Sequence, residues 1–194
     1  MNTPPDTHQM YSYLERINSL VRAQEQNLAR QYNLQPAQLR MLYYLGICNR
    51  YSDTPAGVTD YLQLTKGTVS QSLKILAEKG YVEKRGDEQD KRQVHLALTA
   101  SGLEIFAHLP PDLLVAVGQA LGEAEAQQMT DLLRNLLSTM QYVNGLTGFE
   151  VCRTCTYHRP LDETQFCCGL TNEILTAPEA QLICREHIAP TEPA

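Results

Sequence analysis

The sequence predicts a mainly α-helical protein with one small β-hairpin, and three observations carry that prediction. Apolar residues recur at helical spacing through most of the first 143 positions. Two short β-type runs, 81–85 and 94–98, flank a charged loop containing Gly86, the pattern of a hairpin with a long tip. Five of the six cysteines fall between Cys152 and Cys184, beyond a polar glycine-bearing stretch at 144–148, so the last segment differs in kind from the rest.

The elements follow in order. Residues 10–32 read as a helix with Leu14, Ile17, Val21 and Leu28 on one face, broken at 33–36 where Pro36 suits the first turn of the next helix. Leu39, Leu42, Tyr43 and Ile47 mark that second helix. After a loop at 51–55, Asp53 or Thr54 caps a short third helix, 55–63. Thr65 caps a fourth helix, 66–79, with Val69, Leu73, Leu76 and Ala77 facing inward and Gly80 stopping it. Beyond the hairpin, Thr99 or Ser101 opens a helix with Leu103 and Phe106 on its inner face. Pro110 and Pro111 interrupt it, and Asp112 restarts it. The last long helix, 123–143, carries Met129, Leu133, Leu136, Met140 and Val143 in a seam, with Leu132 and Leu137 on a second apolar face. Two apolar faces on one helix need two partners: its own domain and a second chain.

Bulk composition narrows the function. The formal net charge of −6 argues mildly against nucleic acid, but its distribution matters more than its sum. Residues 65–95 hold seven Lys or Arg against five Asp or Glu, whereas 149–194 hold three Arg against seven acids. No apolar run approaches the roughly 20 residues of a membrane span. The polar start, 1–9, lacks the features of a signal or transit peptide, so a cytoplasmic protein without a membrane partner is expected. No nucleophile–base arrangement and no glycine-rich phosphate loop is evident, which argues against an enzyme.

A short helix, a tight turn, a capped helix and a hairpin form the order of a winged helix-turn-helix. The outward residues of the fourth helix are Lys66, Thr68, Ser70, Gln71 and Lys74: hydroxyls and an amide for base edges, cations for phosphates. The hairpin adds Arg85, Lys91 and Arg92 for an adjacent minor groove, with Asp90 placed to hold the Arg92 side chain. The run LTKGTVSQSLKILAEKGYVEKRGDEQDKRQVHLALTASG resembles the recognition helix and wing of the MarR family, including its Asp-x-Arg unit (Asp90, Arg92) and its Leu-Thr-x-x-Gly unit (Leu98, Thr99, Gly102). LGEAEAQQMTDLLRNLL is similar to the family's last dimerising helix, and the resemblance spans roughly 10–145. The wing is less basic than is usual there, with Asp87, Glu88 and Asp90 among its cations. The resemblance implies a homodimer whose two recognition helices enter successive major grooves of a pseudo-palindromic operator, more often as a repressor. It also implies a cleft for small aromatic anions, which Tyr43 and Tyr44 are candidates to line; core tyrosines are the plainer reading.

The segment CRTCTYHRPLDETQFCCGLTNEILTAPEAQLICREH concentrates seven thiols and imidazoles. Such a cluster in a cytoplasmic chain favours a metal site over disulfides. The four-thiolate set Cys152, Cys155, Cys168 and Cys184 suits an iron–sulfur cluster and loosely resembles the spacing of high-potential iron–sulfur modules. Cys167 is an alternate for Cys168. Zn2+ held by Cys152, Cys155, Cys184 and His187 is the competing set, and His158 is a further alternate. Cys184 is expected on a helix at 177–187, and Cys48 as a small buried apolar residue. A segment this short has little core of its own, so bound metal would supply its folding energy.

The expected organisation is an N-terminal dimerisation helix (1–33), a winged helix-turn-helix DNA-binding domain (34–100), C-terminal dimerisation helices (101–147) and a cysteine-rich metal- or cluster-binding tail (148–194). The expected function is a homodimeric operator-binding regulator whose activity or stability is linked to the bound cluster or metal through redox sensing. The competing readings are the same regulator with a purely structural zinc, and a protein-interaction or electron-transfer module built on a winged-helix scaffold.

Overall fold

A computed structural model describes residues 6–87, 90, 92–146 and 148–189. Seven helices and seven short strands follow one another among these residues. Helix α1 (Thr7–Gln31) leads to α2 (Pro36–Ile47), α3 (Pro55–Leu62) and α4 (Lys66–Glu78). The hairpin is β1 (Val82–Gly86) and β2 (Val94–Leu98), paired antiparallel from Val82↔Leu98 to Gly86↔Val94. Helices α5 (Ala100–Phe106), α6 (Asp112–Leu121) and α7 (Glu123–Val143) complete the helical part.

Helix α2 is the centre of the core. Its Leu39, Met41, Leu42, Tyr44 and Leu45 are buried among Val58 of α3, Val69, Leu73 and Leu76 of α4, Val82 and Leu96 of the hairpin, and Ile105 of α5. Local chemistry sets the helix starts. Gln35 and Gln38 form a reciprocal capping box, with the Gln35 N–H donating to Gln38 Oε1 at 2.9 Å. Thr54 caps α3 by accepting from the Gly57 N–H, and Thr65 caps α4 by accepting from the Thr68 N–H. Of the two residues expected to cap α3, Thr54 does so; Asp53 pairs with the hairpin instead. Gln63 turns through a left-handed conformation (φ 53°) between α3 and α4, the tight turn of the helix-turn-helix.

Two expectations for α5 and the C-terminal segment are corrected. Leu103 is not on the inner face of α5: it is 53% exposed, and Ile105 is the buried residue. The seven-residue helix packs through Gly102 and Ile105, three positions apart, because Gly102 lies directly against the Tyr81 carbonyl. Residues 177–187 are not a helix. Glu179–Gln181 forms a single 3₁₀ turn, and Cys184 lies on strand β7 (Ile183–Cys184), antiparallel to β3 (Glu150–Val151). Pro178 starts a turn here, but the apolar run at 182–184 satisfies its backbone through strand pairing, and Ile183 also bridges Cys48 beyond the end of α2. The remaining strands β4 (His158–Pro160), β5 (Gln165–Cys168) and β6 (Ile174–Thr176) form a three-stranded antiparallel sheet. The C-terminal segment is therefore β-rich.

Helices α6 and α7 contain no buried residue, and their apolar side chains face outward: Met129, Leu132, Leu133, Leu137 and Met140 on α7, with Leu114, Val115 and Val117 on α6. Met10, Tyr11, Tyr13, Ile17 and Leu20 of α1 are exposed as well. No helix among the described residues is long and apolar enough to cross a membrane.

Thr99 accepts from the Gly102 N–H and donates to the Gly80 carbonyl, so the Leu-Thr-x-x-Gly unit ties α5 to the end of α4. A methyl group at position 102 would meet the Tyr81 carbonyl. Gly102→Ala is therefore expected to cost about 1–3 kcal/mol in urea unfolding. An unchanged midpoint would show that the α5–hairpin joint yields freely.

Candidate nucleic-acid interface and cysteine module

Helix α4 divides cleanly between its faces. Val69, Leu73 and Leu76 are buried, whereas Lys66, Thr68, Ser70, Gln71 and Lys74 are exposed along the opposite side. Not all are equally free to reach outward. The Thr68 and Thr65 hydroxyls lie 2.9 Å apart, and Lys74 Nζ lies 3.8 Å from Glu78. Arg85, on β1, contacts Glu83. Arg92 is exposed near the hairpin tip, and Lys91 lies outside the described residues. Asp90 does not hold the Arg92 side chain. Its carboxylate accepts from the Arg92 backbone N–H at 2.9 Å, while its own N–H donates to Asp87 Oδ1 at 2.6 Å. The acid of the Asp-x-Arg unit thus shapes the loop backbone, because a carboxylate two residues back reaches the N–H more easily than the guanidinium.

The base of the hairpin contains a cluster that sequence reasoning missed. His95 Nδ1 contacts Asp53 Oδ1, and His95 Nε2 lies 3.1 Å from Asp87 Oδ2. The Leu96 N–H also donates to the Asp53 carbonyl at 2.7 Å. One residue in the loop after α2 therefore holds β2 by both side chain and backbone. The hydrogen bond to Asp53, and then the charges of both carboxylates, raise the pKa of His95 above the ordinary histidine value. His95 alternates with the buried Leu96 and so reads as an ordinary outer-face strand residue, and its partner lies 42 residues away.

The C-terminal segment docks on the same loop. The Asn49 N–H donates to the Ile183 carbonyl at 2.9 Å, and the Arg185 N–H donates to Ser52 Oγ at 2.8 Å. Arg185 pairs with Asp60 of α3 at 2.7 Å. Arg50 pairs with Glu173 and Glu179 at 3.1 and 3.2 Å, and Tyr51 donates to Glu173 at 2.7 Å. Phe149 is buried edge-on against Tyr44 and Tyr61.

A cavity of about 600 Å³ lies between these parts. Cys152, Cys155, Cys168 and Cys184 of the C-terminal segment line it, together with Asn49, Asp53, Arg85, Asp87 and His95 of the loop after α2 and the hairpin. None of the six cysteines is in a disulfide. Cys167, next to Cys168 on β5, is not in the cavity wall, as strand alternation requires, and its Sγ turns to the Cys168 carbonyl. His187 is also absent from the wall and hydrogen-bonds with Thr154 at 3.0 Å. His158 lines the cavity with its ring against Phe166, and its Nδ1 is buried without a hydrogen-bond partner. Burial, reinforced by the neighbouring thiols of Cys184, Cys168 and Cys155, pushes the Cys152 thiol up to about 11. Burial likewise raises the pKa of Cys184, opposed by the polar side chains of Asn49 and Ser52 beside it. Among the described residues no three Cys, His, Asp or Glu groups are gathered closely enough to hold a single metal ion.

A second cavity, about 160 Å³, lies between α1, α2 and α6 and is lined by Val21, Arg40, Tyr43, Pro110 and Leu114. Tyr43 reaches it, and Tyr44 does not: Tyr44 is fully buried and donates to the Ser52 carbonyl at 2.6 Å. Cys48 is buried, as expected of a small apolar residue.

The order of helix, tight turn, helix and hairpin defines the winged helix-turn-helix class of folds. The model of the MarR family matches residues 32–93. The transcriptional repressor MprA of Escherichia coli (strain K12) is 26% identical over 136 residues, 69% of this chain and 73% of that protein. Streptococcus pneumoniae FabT, solved in complex with DNA, is 29% identical with a TM-score of 0.58, covering 71% of this chain and 99% of that one. The S. aureus MepR–DNA complex is 28% identical with a TM-score of 0.54, covering 66% and 97%. The match to the MarR family model falls on the winged-helix core and ends well before the first cysteine of the C-terminal segment.

The raised pKa of His95 gives a signed prediction. Its stabilisation is fully present below the ordinary histidine range, about 6.5, and is lost as pH rises through the raised folded-state value. Between about pH 6 and 9, the melting temperature should fall more in the wild type than in His95→Gln. Equal slopes in the two proteins would remove the histidine from the hairpin's support.

Proposed function

We propose that the protein is a homodimeric transcriptional regulator, most simply a repressor, that reads a pseudo-palindromic operator through α4 and the hairpin. The single observation that carries this reading is the exposed row Lys66, Thr68, Ser70, Gln71 and Lys74 on a helix whose other face is buried in the core, beside a wing carrying Arg85 and Arg92. The MepR and FabT complexes with DNA support it. The outward apolar faces of α1, α6 and α7 support the dimer, because exposed apolar surface of this extent calls for a partner. The cavity beside Tyr43 is the candidate site for a small aromatic ligand, and the unpartnered Arg40 Nε nearby suits an anionic group.

The C-terminal segment is proposed to hold an iron–sulfur cluster on Cys152, Cys155, Cys168 and Cys184. Zinc needs its thiolates at about 2.3 Å from one point. Four thiols spread around a wide cavity suit a cofactor with its own bulk, and a four-iron cluster takes four thiolates. The zinc set is disfavoured because His187 lies outside the cavity wall. The raised Cys152 thiol means that loading must displace its proton.

Selection of a duplex from random-sequence DNA tests the first reading. Arg92→Ala should then weaken binding roughly tenfold with the dimer intact. Binding that is equally weak on all duplexes and erased by moderate salt would contradict operator recognition. For the second reading, protein purified without oxygen should be brown and carry iron and sulfide, and Cys155→Ser should lose both. A colourless protein with one zinc per chain would overturn the cluster.

A further inference from the structure

The cavity that gathers the four cysteines is also walled by the parts that position the wing, and this shared wall carries more than a staple for the C-terminus. Asn49 shows it most directly. It is 2% exposed, its Nδ2 has no hydrogen-bond partner among the described residues, and it lines the same cavity as Cys184. Buried amide N–H groups are rarely left unpaired. A sulfur acceptor brought into the cavity answers for this one. His158 Nδ1 is a second buried polar atom without a partner on the same cavity.

The loop that carries Asn49 also carries the wing's anchor. Ser52 accepts from the Asn49 side of the C-terminal segment through the Arg185 N–H, and its hydroxyl donates to Asn49 Oδ1 at 2.7 Å. One residue further, Asp53 holds β2 through His95 and the Leu96 N–H. Ile183 beside Cys184, Asn49, Ser52, Asp53 and His95 thus form one continuous path, through hydrogen bonds and the loop backbone, from the cysteine segment to the reading hairpin.

We propose that a four-iron, four-sulfide cluster bound by Cys152, Cys155, Cys168 and Cys184 acts as the clamp that fixes the wing, with Asn49 of the DNA-binding domain donating to the cluster's sulfur, so that the operator is bound tightly only when the cluster is present. The inference rests on the cluster reading above. Transfer of a preformed cluster from a thiolate-bearing donor exchanges four iron–thiolate bonds on the donor for four to these cysteines; any proton the incoming sulfurs carry passes to the departing thiolates, and nothing is oxidised or reduced in that step. Loss of the cluster removes the acceptor for Asn49 and the links among the strands that hold Cys168 and Cys184. The loop at 49–53 then loosens, and the hairpin with it. A wing fixed in advance binds DNA without an ordering cost at the moment of association.

The test compares cluster-loaded and cluster-free full-length protein, both without oxygen, by hydrogen exchange and by titration with a duplex selected by the loaded protein. Cluster removal should speed exchange at the Leu96 and Asn49 amides several-fold and weaken operator binding roughly tenfold, within the usual span of coupling between sites. The α4 amides serve as the internal control and should keep their protection. Asn49→Ala should retain iron and sulfide yet show the loosened hairpin and the weaker binding. A loaded protein whose hairpin exchange and operator affinity match the cluster-free form overturns the clamp while leaving the cluster standing. Exchange that rises equally in α4 also overturns it, since the cluster would then be a general folding staple. Protein that takes up no iron and sulfide under reconstitution overturns the clamp together with the cluster reading.

Discussion

The hydrogen bond from the Tyr44 hydroxyl to the Ser52 carbonyl, 2.6 Å long and buried in the core, fixes the loop on which the rest of the molecule converges. A buried hydroxyl without this partner would cost about 1–3 kcal/mol, so the loop cannot drift without penalty. Gly57 at the start of α3 closes against both groups and leaves no room for a side chain. From this fixed point the loop extends three connections: Asn49 and Ser52 to the C-terminal strands, Asp53 to the hairpin, and Thr54 to the first turn of α3. The helix-turn-helix, the wing and the cysteine segment therefore share one support about five residues long.

That convergence explains how much of the molecule could be read from the sequence. Helices announced by spacing and caps, such as α4 with Thr65 before it and Gly80 after it, lie close to their expected limits because local chemistry specifies them. The hairpin was legible for the same reason. The reading face of α4 followed from its period, since burial of Val69, Leu73 and Leu76 leaves the intervening residues outward. What the sequence concealed depends on distant partners. The run at 182–184 became a strand because β3 and the end of α2 were there to pair with it. Asp53 read as a helix cap because its histidine partner is remote in the chain, and Asp90 read as a side-chain anchor although its backbone contact is nearer.

The candidate cluster site shows both situations. Cys-x-x-Cys spacing identified Cys152 and Cys155 as a pair, and strand alternation chooses Cys168 over Cys167 once β5 is known. No spacing rule points to Asn49, about a hundred residues upstream, as the buried amide facing the same cavity. It is a loop residue whose role is set entirely by what docks on it. The exposed apolar faces of α6 and α7 are a similar case: the seam was legible as a pattern, and its exposure within one chain is what the proposed dimer would cover.

The central claim is that the loop at 49–54 mechanically joins the C-terminal segment to the wing. A double-mutant cycle measures this most directly, with Arg185→Ala breaking the dock on Asp60 and His95→Ala breaking the hold on Asp53, read out as the free energy of unfolding. The account predicts a coupling energy of about 0.5–3 kcal/mol between two residues that do not touch. Additivity to within about 0.5 kcal/mol would contradict it, and would make the wing and the cysteine segment independent tenants of the same fold.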